Sequence, residues 1–471
     1  MVSNTMMGLL CVGGGTIMHL YLGCFYLWGN IQVYVTSYLH KQDPSVTLDD
    51  TSIIFVLQTV AQALCMPIAP VLLRYVPPWL LALIGGVFAI GGVFASSFIT
   101  NFYAFLFVYP VLFGIGIGFS YMAPIICGWE YFPEWKGTVS GVIVTGFGFG
   151  SFIFGFISIA IANPEGLKPD LEVDGGKIFS PETSVASNAP RMIRINCAIW
   201  VGLILIAALM MRRMKKGHKD YAPLVSSPTQ NREGILNHVS SDHLDMTEEY
   251  ESKIEIIEPT FMESVKDYRT IYMWIILIFT SSYPFYIASN FKSYEQRDIQ
   301  DDRFITLVGS LGAVVNGLSR GVWSTLQDFF GFKKVFLFLL VVEVIVAFTF
   351  VAIHKIKALY LIWVLISFST LGGHFSIFAT LCAKIYGPTT GGKMFALIFT
   401  AFASATLINW ILTKQISKGR IEYETLFYIL ASMAVVGIGK RIHAPSSHFY
   451  SISILLQPKD QSPSVYPLCF R

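Results

Sequence analysis

The sequence predicts an all-α polytopic membrane protein, with twelve transmembrane helices arranged as two six-helix bundles. Of its 471 residues 13% are charged and 15% aromatic, and the mean hydropathy is +0.59. These values are far outside those of soluble domains. Apolar runs of about 20 residues, the length that crosses a bilayer as a helix, recur along the chain. They fall into two groups of six on either side of one long polar segment.

The two groups of apolar runs define the domain organisation. The first predicts an N-terminal bundle, residues 1–211, and the second a C-terminal bundle, residues 271–439. The segment between them, 212–270, carries charges of both signs and few aromatics, which predicts a largely disordered linker. A polar tail, 440–471, follows a last span of near-minimal length, which is consistent with a clipped or alternatively spliced C-terminus. The predicted spans lie near 8–38, 52–74, 79–100, 103–128, 138–162, 192–211, 271–291, 304–326, 334–353, 358–383, 394–413 and 423–439.

Several function classes are excluded by composition. The net charge of +3, with no block rich in lysine and arginine, does not suit nucleic-acid binding. The seven cysteines have no paired spacing, so neither a disulfide framework nor a zinc site is predicted. The spans contain no clustered acid–base or nucleophile set, so an enzyme and a bound cofactor are not expected. Lysine and arginine are more numerous in the connections on the linker's side than in those on the opposite side, which predicts that the linker and both termini are cytoplasmic. The membrane is either the plasma membrane or an organelle membrane.

One arginine lies inside an apolar helix, in the stretch "NGLSRGVWSTLQDFFGFKK", Asn316 to Lys334. A charge in a membrane span costs roughly 2.5–3.5 kcal/mol on insertion scales, so it points to a partner, a ligand or a gate. Arg320 is the basic residue predicted to lie deepest in a span. It has either a structural carboxylate partner on a neighbouring helix or an anionic substrate, because a guanidinium matches a carboxylate in geometry and charge.

The same stretch resembles the major facilitator superfamily at the junction of its eighth and ninth helices, where glycines, an arginine, an aspartate, a glycine and two basic residues follow in order. The resemblance implies a major facilitator fold, in which two halves rock around a central site, and a latch on the cytoplasmic face. Asp328 would cap the next helix or pair with the basic residues after it. The latch residues implied are Gly317, Asp328, Gly331, Lys333 and Lys334.

A second stretch, "GIGIGFSYMAPIICGWEYFPEWKGTVSGVIVTGFGFGSFIFG", covers Gly114 to Gly155. It resembles the fourth and fifth helices of the oxalate/formate antiporter family, relatives of the monocarboxylate transporters. Gly372 to Gly392 is similar to the tenth helix and the loop after it. The resemblance extends over about residues 8–439. It implies a functional monomer in the lipid bilayer that moves a small organic anion by alternating access, through exchange or proton-coupled symport.

The resemblance also implies an aromatic-lined site with basic residues on the eighth and eleventh helices. Arg320 matches the eighth-helix arginine, whereas Phe402 stands about where the family has an eleventh-helix lysine. A second buried carboxylate would then lack a compensating charge. The chain is therefore predicted to prefer a monocarboxylate to oxalate.

Other polar residues in the spans are weaker candidates. Tyr121 follows a family position that faces the cavity. Lys292, near the end of the seventh span, would attract anions or extend its charge to the interface. Two residues are candidates for carrying a coupling proton, Glu343 and His374. Further residues would line the cavity or make hydrogen bonds between helices: His19, Tyr26, Asn30, Gln58 and Gln62.

Two other functions fit the same sequence. The fold could carry a neutral solute or a larger, vitamin-type acid, in which case Arg320 is structural. A transporter-like membrane receptor, which binds without translocating, could use the long linker for signalling.

Overall fold

Long apolar helices form nearly all of the structure, because a helix satisfies its own backbone hydrogen bonds inside a bilayer. Most of the predicted linker, 212–270, and of the predicted tail, 440–471, lies outside the described residues. The computed structural model describes residues 4–73, 75–132, 136–173, 176–212, 259–295, 299, 301–353, 355–417 and 419–442.

Within these residues, eleven helices are long and apolar enough to cross a membrane, and a shorter apolar helix follows them. The predicted helical membrane fold is confirmed: eleven of the twelve predicted spans reach spanning length in the described residues, and the twelfth is the shorter helix. We call the helices spans 1–12 in chain order: Asn4–Gln42, Leu48–Leu72, Pro78–Ser96, Phe102–Tyr131, Thr138–Ala162, Ser184–Met210, Tyr268–Lys292, Asp302–Phe330, Phe332–Ile353, Lys357–Tyr386, Thr390–Ile416 and Tyr423–Gly437. Helical structure extends beyond some of these limits, over Lys136–Ala162, Tyr268–Glu295, Lys357–Ile398, Thr400–Ser417 and Tyr423–Ile442.

The spans alternate in direction, so their connections lie on two faces. The linker face carries the ends of spans 6 and 7 that flank the linker, and the far face is the opposite one. Spans 1–6 form the N-terminal half and spans 7–12 the C-terminal half. The halves meet chiefly where span 5 packs on span 8 and span 2 on span 11.

Two spans depart locally from regular α-helix. Span 1 contains a 3-10 segment, Gly23–Leu27, where a side chain on Gly23 would overlap the carbonyl oxygen of Phe147. Span 4 contains a π segment, Phe107–Val111, around Pro110, whose ring removes a backbone donor. These irregular segments lie within spans that also carry predicted site residues.

Span 6 begins at Ser184, eight residues before the predicted start near 192. The predicted start follows Arg191 and the polar residues before it, which interrupt the apolar run; Arg194 lies within the predicted span. In the structure, the Arg194 guanidinium lies 5.1 Å from the ring centroid of Phe98. An aromatic face attracts a cation, so the charge is accommodated at the side of the helix.

Glycines bring the two halves into backbone contact. A Cβ built on Gly317 of span 8 would lie 2.9 Å from the Cα of Gly148 of span 5. Lipid supplies no hydrophobic force between helices, so small residues that allow close packing stabilise such crossings. Gly317 therefore has a packing role at the seam between the halves.

A second close approach within the N-terminal half leads to a stability prediction. A Cβ on Gly150 would overlap the carbonyl oxygen of Leu20, whereas one on Gly141 of the same helix meets nothing within 4 Å. We expect Gly150→Ala to lower the free energy of unfolding by about 1–3 kcal/mol through overpacking, and Gly141→Ala to leave it nearly unchanged. Thermal unfolding in detergent measures both. Equal melting temperatures for the two variants would contradict the expectation.

A small hairpin covers part of the far face between spans 5 and 6. Strand β1, Leu171–Val173, pairs antiparallel with β2, Gly176–Ile178. Phe179, immediately after β2, is buried, and its backbone N–H donates to Ser37 Oγ at 3.0 Å. The hairpin is thereby fixed to span 1.

Candidate functional site

Arg320 of span 8 lies at the seam between the two halves and is 7% exposed. Its Nη1 donates to the Tyr121 hydroxyl of the N-terminal half at 2.9 Å. Its Nη2 donates to Asn316 Oδ1, one turn earlier on the same helix, at 3.0 Å. Asn316 is fixed in turn, because its Nδ2 donates to the Phe368 carbonyl of span 10 at 3.0 Å. The guanidinium is thus oriented by both halves.

Aromatic rings cover the guanidinium. Its central carbon lies 4.4 Å from the ring centroid of Phe375 on span 10 and 5.6 Å from that of Phe147 on span 5. Cation–π contacts offset part of the cost of removing a charge from water. The rings contribute no negative charge, so the site keeps its positive charge.

Among the residues that the structure describes, no carboxylate lies within ion-pair distance of Arg320, and its Nε has no hydrogen-bond partner. The structural-carboxylate interpretation therefore has no support in the described part of the chain. A buried charge is costly unless it is paired and hydrogen-bonded. An anion hydrogen-bonded to this guanidinium would supply the missing charge and the missing acceptor for Nε.

Three predicted residues gather beside Arg320. The His19 and Tyr121 rings meet edge to face, with centroids 5.0 Å apart, and the Tyr26 ring lies 5.7 Å from that of Phe147. One ring nitrogen of His19, Nδ1, bonds the Gly15 carbonyl at 2.9 Å. The other, Nε2, has no partner among the described residues. This nitrogen and the hydroxyl groups give the site further polar contacts.

The amide candidates occupy helix interfaces. Gln58 Nε2 donates to the Phe25 carbonyl at 3.1 Å, so Gln58 joins span 2 to span 1; Gln62 is buried one turn further along span 2. Asn30 is buried towards the far face, and its side-chain atoms have no partner in the described part of the chain. For Gln58, the hydrogen bond between helices is the interpretation that the geometry supports.

Phe402 belongs to an aromatic cluster rather than to a charged one. Its ring centroid lies 4.6 Å from that of Phe375, 5.1 Å from that of Phe399 and 5.4 Å from that of Phe285. Phe375 also contacts Arg320. The cluster therefore forms an apolar wall beside a single fixed positive charge.

Glu343 and His374, predicted separately, lie together inside the C-terminal half. His374 Nε2 is 3.8 Å from Glu343 Oε2, and both side chains are fully buried. His374 Nδ1 bonds the Thr370 carbonyl at 2.8 Å. Neither carboxyl oxygen has a hydrogen-bond partner in the described residues. The two side chains therefore lie side by side between spans 9 and 10, without a hydrogen bond between them.

The predicted latch differs in one respect from expectation. Asp328 Oδ1 contacts Lys384 Nζ of span 10 at 2.8 Å, instead of pairing with Lys333 or Lys334 after it. Both partners are more than half exposed, so the pair is weak by itself. Gly331, with φ of 77°, ends span 8 in a conformation that favours glycine. The turn at Gly331 directs the chain into span 9. The Asp328 side chain contacts span 10 rather than the basic residues at the start of span 9.

The interpretation of Lys292 as an interfacial side chain is wrong. Lys292 is 1% exposed, and its Nζ lies 2.6 Å from Asp302 Oδ1 of span 8.

Sequence reasoning also missed Asn316 as the residue that orients Arg320. A signal for Asn316 was present, since a polar side chain four residues before an arginine shares its helix face.

Comparisons with known proteins agree with this architecture. Residues 270–445 match the Major Facilitator Superfamily model. The chain is 26% identical to apicoplast pyruvate carrier 1 of Toxoplasma gondii, over 92% of this chain and 88% of the carrier. It is 21% identical to monocarboxylate transporter 9 of Gallus gallus, over 76% and 77% of the two chains.

A solved structure supports the fold over most of the chain. The nucleoside transporter NupG, in a mutant form, superposes with a TM-score of 0.59 and 12% identity, over 92% of this chain and 99% of that one. At this identity the likeness shows the fold alone. The fold and the relatives are those of transporters, not enzymes. The chain is therefore a multi-pass membrane protein with the major facilitator fold, its residues 270–445 match the superfamily model, and it resembles the monocarboxylate transporters.

Proposed function

We propose that this transporter moves a small organic anion, a monocarboxylate, across its membrane by alternating access. The observation that carries the proposal is the Arg320 guanidinium, which is buried at the seam and contacts only neutral groups among the described residues. A carboxylate bound there would gain charge-assisted hydrogen bonds. The names of two relatives, a pyruvate carrier and a monocarboxylate transporter, support the same substrate class.

The site favours one carboxylate over two. The aromatic cluster around Phe402 offers no second cation. The second carboxylate of oxalate would therefore be buried without compensation, which is costly. A short acid with an apolar methyl group, such as pyruvate or lactate, matches a fixed charge beside phenylalanine rings.

Substrate binding would also connect the halves. Arg320 belongs to the C-terminal half, and Tyr121 and Phe147 to the N-terminal half. An anion that bridges Arg320 and the Tyr121 hydroxyl would bind a closed arrangement better than an open one. Such differential affinity is what allows a ligand to shift a conformational equilibrium.

The remaining predictions complete the proposal. The linker face is cytoplasmic, and the latch at Gly317, Asp328 and Gly331 acts there. In a proton-coupled cycle, Glu343 and His374 would carry the proton as one pair, since their side chains meet. In an exchange cycle, a second anion would return on Arg320 and the buried pair would be structural. The transporter works as a monomer.

The test is uptake of labelled pyruvate, lactate, formate and oxalate into proteoliposomes, with glucose as a neutral control. We expect saturable uptake of the monocarboxylates and weaker uptake of oxalate. Stimulation by an internal anion would establish exchange, and stimulation by an inward proton gradient would establish symport. Glucose uptake without uptake of any acid would overturn the proposal.

A further inference from the structure

A buried polar network joins the two halves near the far face. At its centre Lys292 Nζ lies 2.6 Å from Asp302 Oδ1, and the two side chains are 1% and 3% exposed. Both residues belong to the C-terminal half, at the adjoining ends of spans 7 and 8. The ion pair by itself therefore does not link the halves.

The N-terminal half contributes the remaining contacts. The Tyr34 hydroxyl of span 1 donates to Asp302 Oδ2 at 2.6 Å, and Asn163, just after span 5, donates from Nδ2 to the same oxygen at 3.1 Å. Lys292 Nζ donates to the Asn30 carbonyl at 3.0 Å and to the Tyr34 hydroxyl at 3.1 Å. Each of these bonds crosses the seam and ends on a buried charge, which makes it stronger than a bond between neutral groups.

Tyr34 is fixed in position from its own side of the seam. Its ring centroid lies 5.8 Å from that of Phe179, the residue after the far-face hairpin. The hydroxyl is thus held towards the ion pair before the halves meet, so little side-chain freedom is lost on closure.

We propose that Tyr34 and Asn163 are the gate residues of the far face, and that they lock it shut by binding the Lys292–Asp302 pair of the opposite half. Opening of this face breaks their bonds but leaves the ion pair intact. The pair therefore remains compensated in both states, while its contacts with the N-terminal half exist in one state alone. A group that interacts with only one state shifts the equilibrium towards it.

A second contact between the halves lies on the same face. Lys414 of span 11 reaches Asp49 at 2.6 Å and Asp50 at 3.4 Å, at the start of span 2. These side chains are partly exposed, so this pair contributes less than the buried network. It adds a weaker, partly exposed contact between the halves on the same face.

The gate is independent of the transported solute, so its failure and the failure of the proposed function are distinguishable. The test is hydrogen exchange measured by mass spectrometry on the intact transporter in detergent without substrate. The variant Tyr34→Phe/Asn163→Ala removes three crossing bonds, two at the Tyr34 hydroxyl and one at Asn163 Nδ2, and keeps the ion pair. At about 1 kcal/mol per bond, the open population should rise roughly tenfold or more. Exchange should accelerate at the far-face ends of spans 1, 7 and 8 and stay unchanged at the linker face.

Two variants complete the test. Lys357→Gln is the matched control, because it breaks an exposed pair with Asp301, at 2.9 Å, between two spans of the same half; its exchange should equal that of the parent. The bond from Lys357 is the main reason that the pKa of Asp301 is lowered, so this control does remove an interaction. Tyr34→Phe alone removes one hydroxyl group and should give part of the change.

The proposal is overturned if exchange is unchanged in the double variant, or if it rises equally at both faces. An equal rise would mean that the two residues support packing throughout the bundle rather than a gate.

Discussion

Arg320→Gln is expected to reduce saturable uptake of monocarboxylates by about 10- to 100-fold in kcat/KM. A hydrogen bond to a charged group contributes about 1.5–3 kcal/mol, and each 1.4 kcal/mol is a factor of ten in an equilibrium constant. Glutamine keeps a donor near Tyr121 and Asn316 but removes the charge. Uptake of labelled pyruvate into proteoliposomes measures the loss.

Two control variants separate charge, geometry and stability. Arg320→Lys retains a cation without the planar fork, so we expect an intermediate rate. Arg191→Gln makes the same chemical change at an exposed position on span 6, and its uptake should equal that of the parent. Because the guanidinium has no carboxylate partner in the described residues, Arg320→Gln leaves no uncompensated buried anion there. We therefore expect its melting temperature to be maintained while uptake is lost.

The opposite pattern would identify a structural arginine. The anion-binding role is wrong if the Arg320→Gln variant transports pyruvate normally. It is also wrong if the variant has a far lower melting temperature than the parent and its remaining uptake is proportional to the amount of folded protein. The cargo would then be a neutral solute or a larger acid, as the sequence alone also allowed.

The sequence predicted the fold because its strongest signals are local. Apolar length identifies a span without knowledge of its neighbours, and the charge of Arg320 stands out within apolar residues. Span limits were less accurate where charges lie inside a helix. The predicted span 6 begins directly after Arg191, whereas the helix begins at Ser184.

The far-face network was missed because its contacts are not local. The hydrogen bond between Lys292 and Tyr34 joins residues 258 positions apart. A lysine near the end of a span usually extends to the interface, and only tertiary packing distinguishes that outcome from burial. Glu343 and His374 are a second example. The sequence identified each residue as a candidate, but it did not predict that their side chains are neighbours.

The buried Lys292–Asp302 pair leads to the second large prediction, a double-mutant cycle on stability. Removing one partner of a buried pair costs about 3–5 kcal/mol, because the other charge is left uncompensated. Lys292→Met and Asp302→Asn should each lower the melting temperature strongly. The double variant has neither charge and should recover much of the loss, since neutral replacements of buried pairs are often tolerated.

The exposed pair of Lys357 and Asp301 provides the matched cycle. Their side chains are 55% and 45% exposed, compared with 1% and 3% for the buried pair. We expect a coupling of about 0–1 kcal/mol for Lys357→Met with Asp301→Asn. If the stability losses of Lys292→Met and Asp302→Asn simply add in the double variant, the two charges are not coupled. The loss of stability in each single variant would then come from packing. Strong coupling would instead mean that the C-terminal half carries a preformed, self-compensated ion pair. Tyr34 and Asn163 could then leave it, and the far face could open, without exposing an unpaired charge.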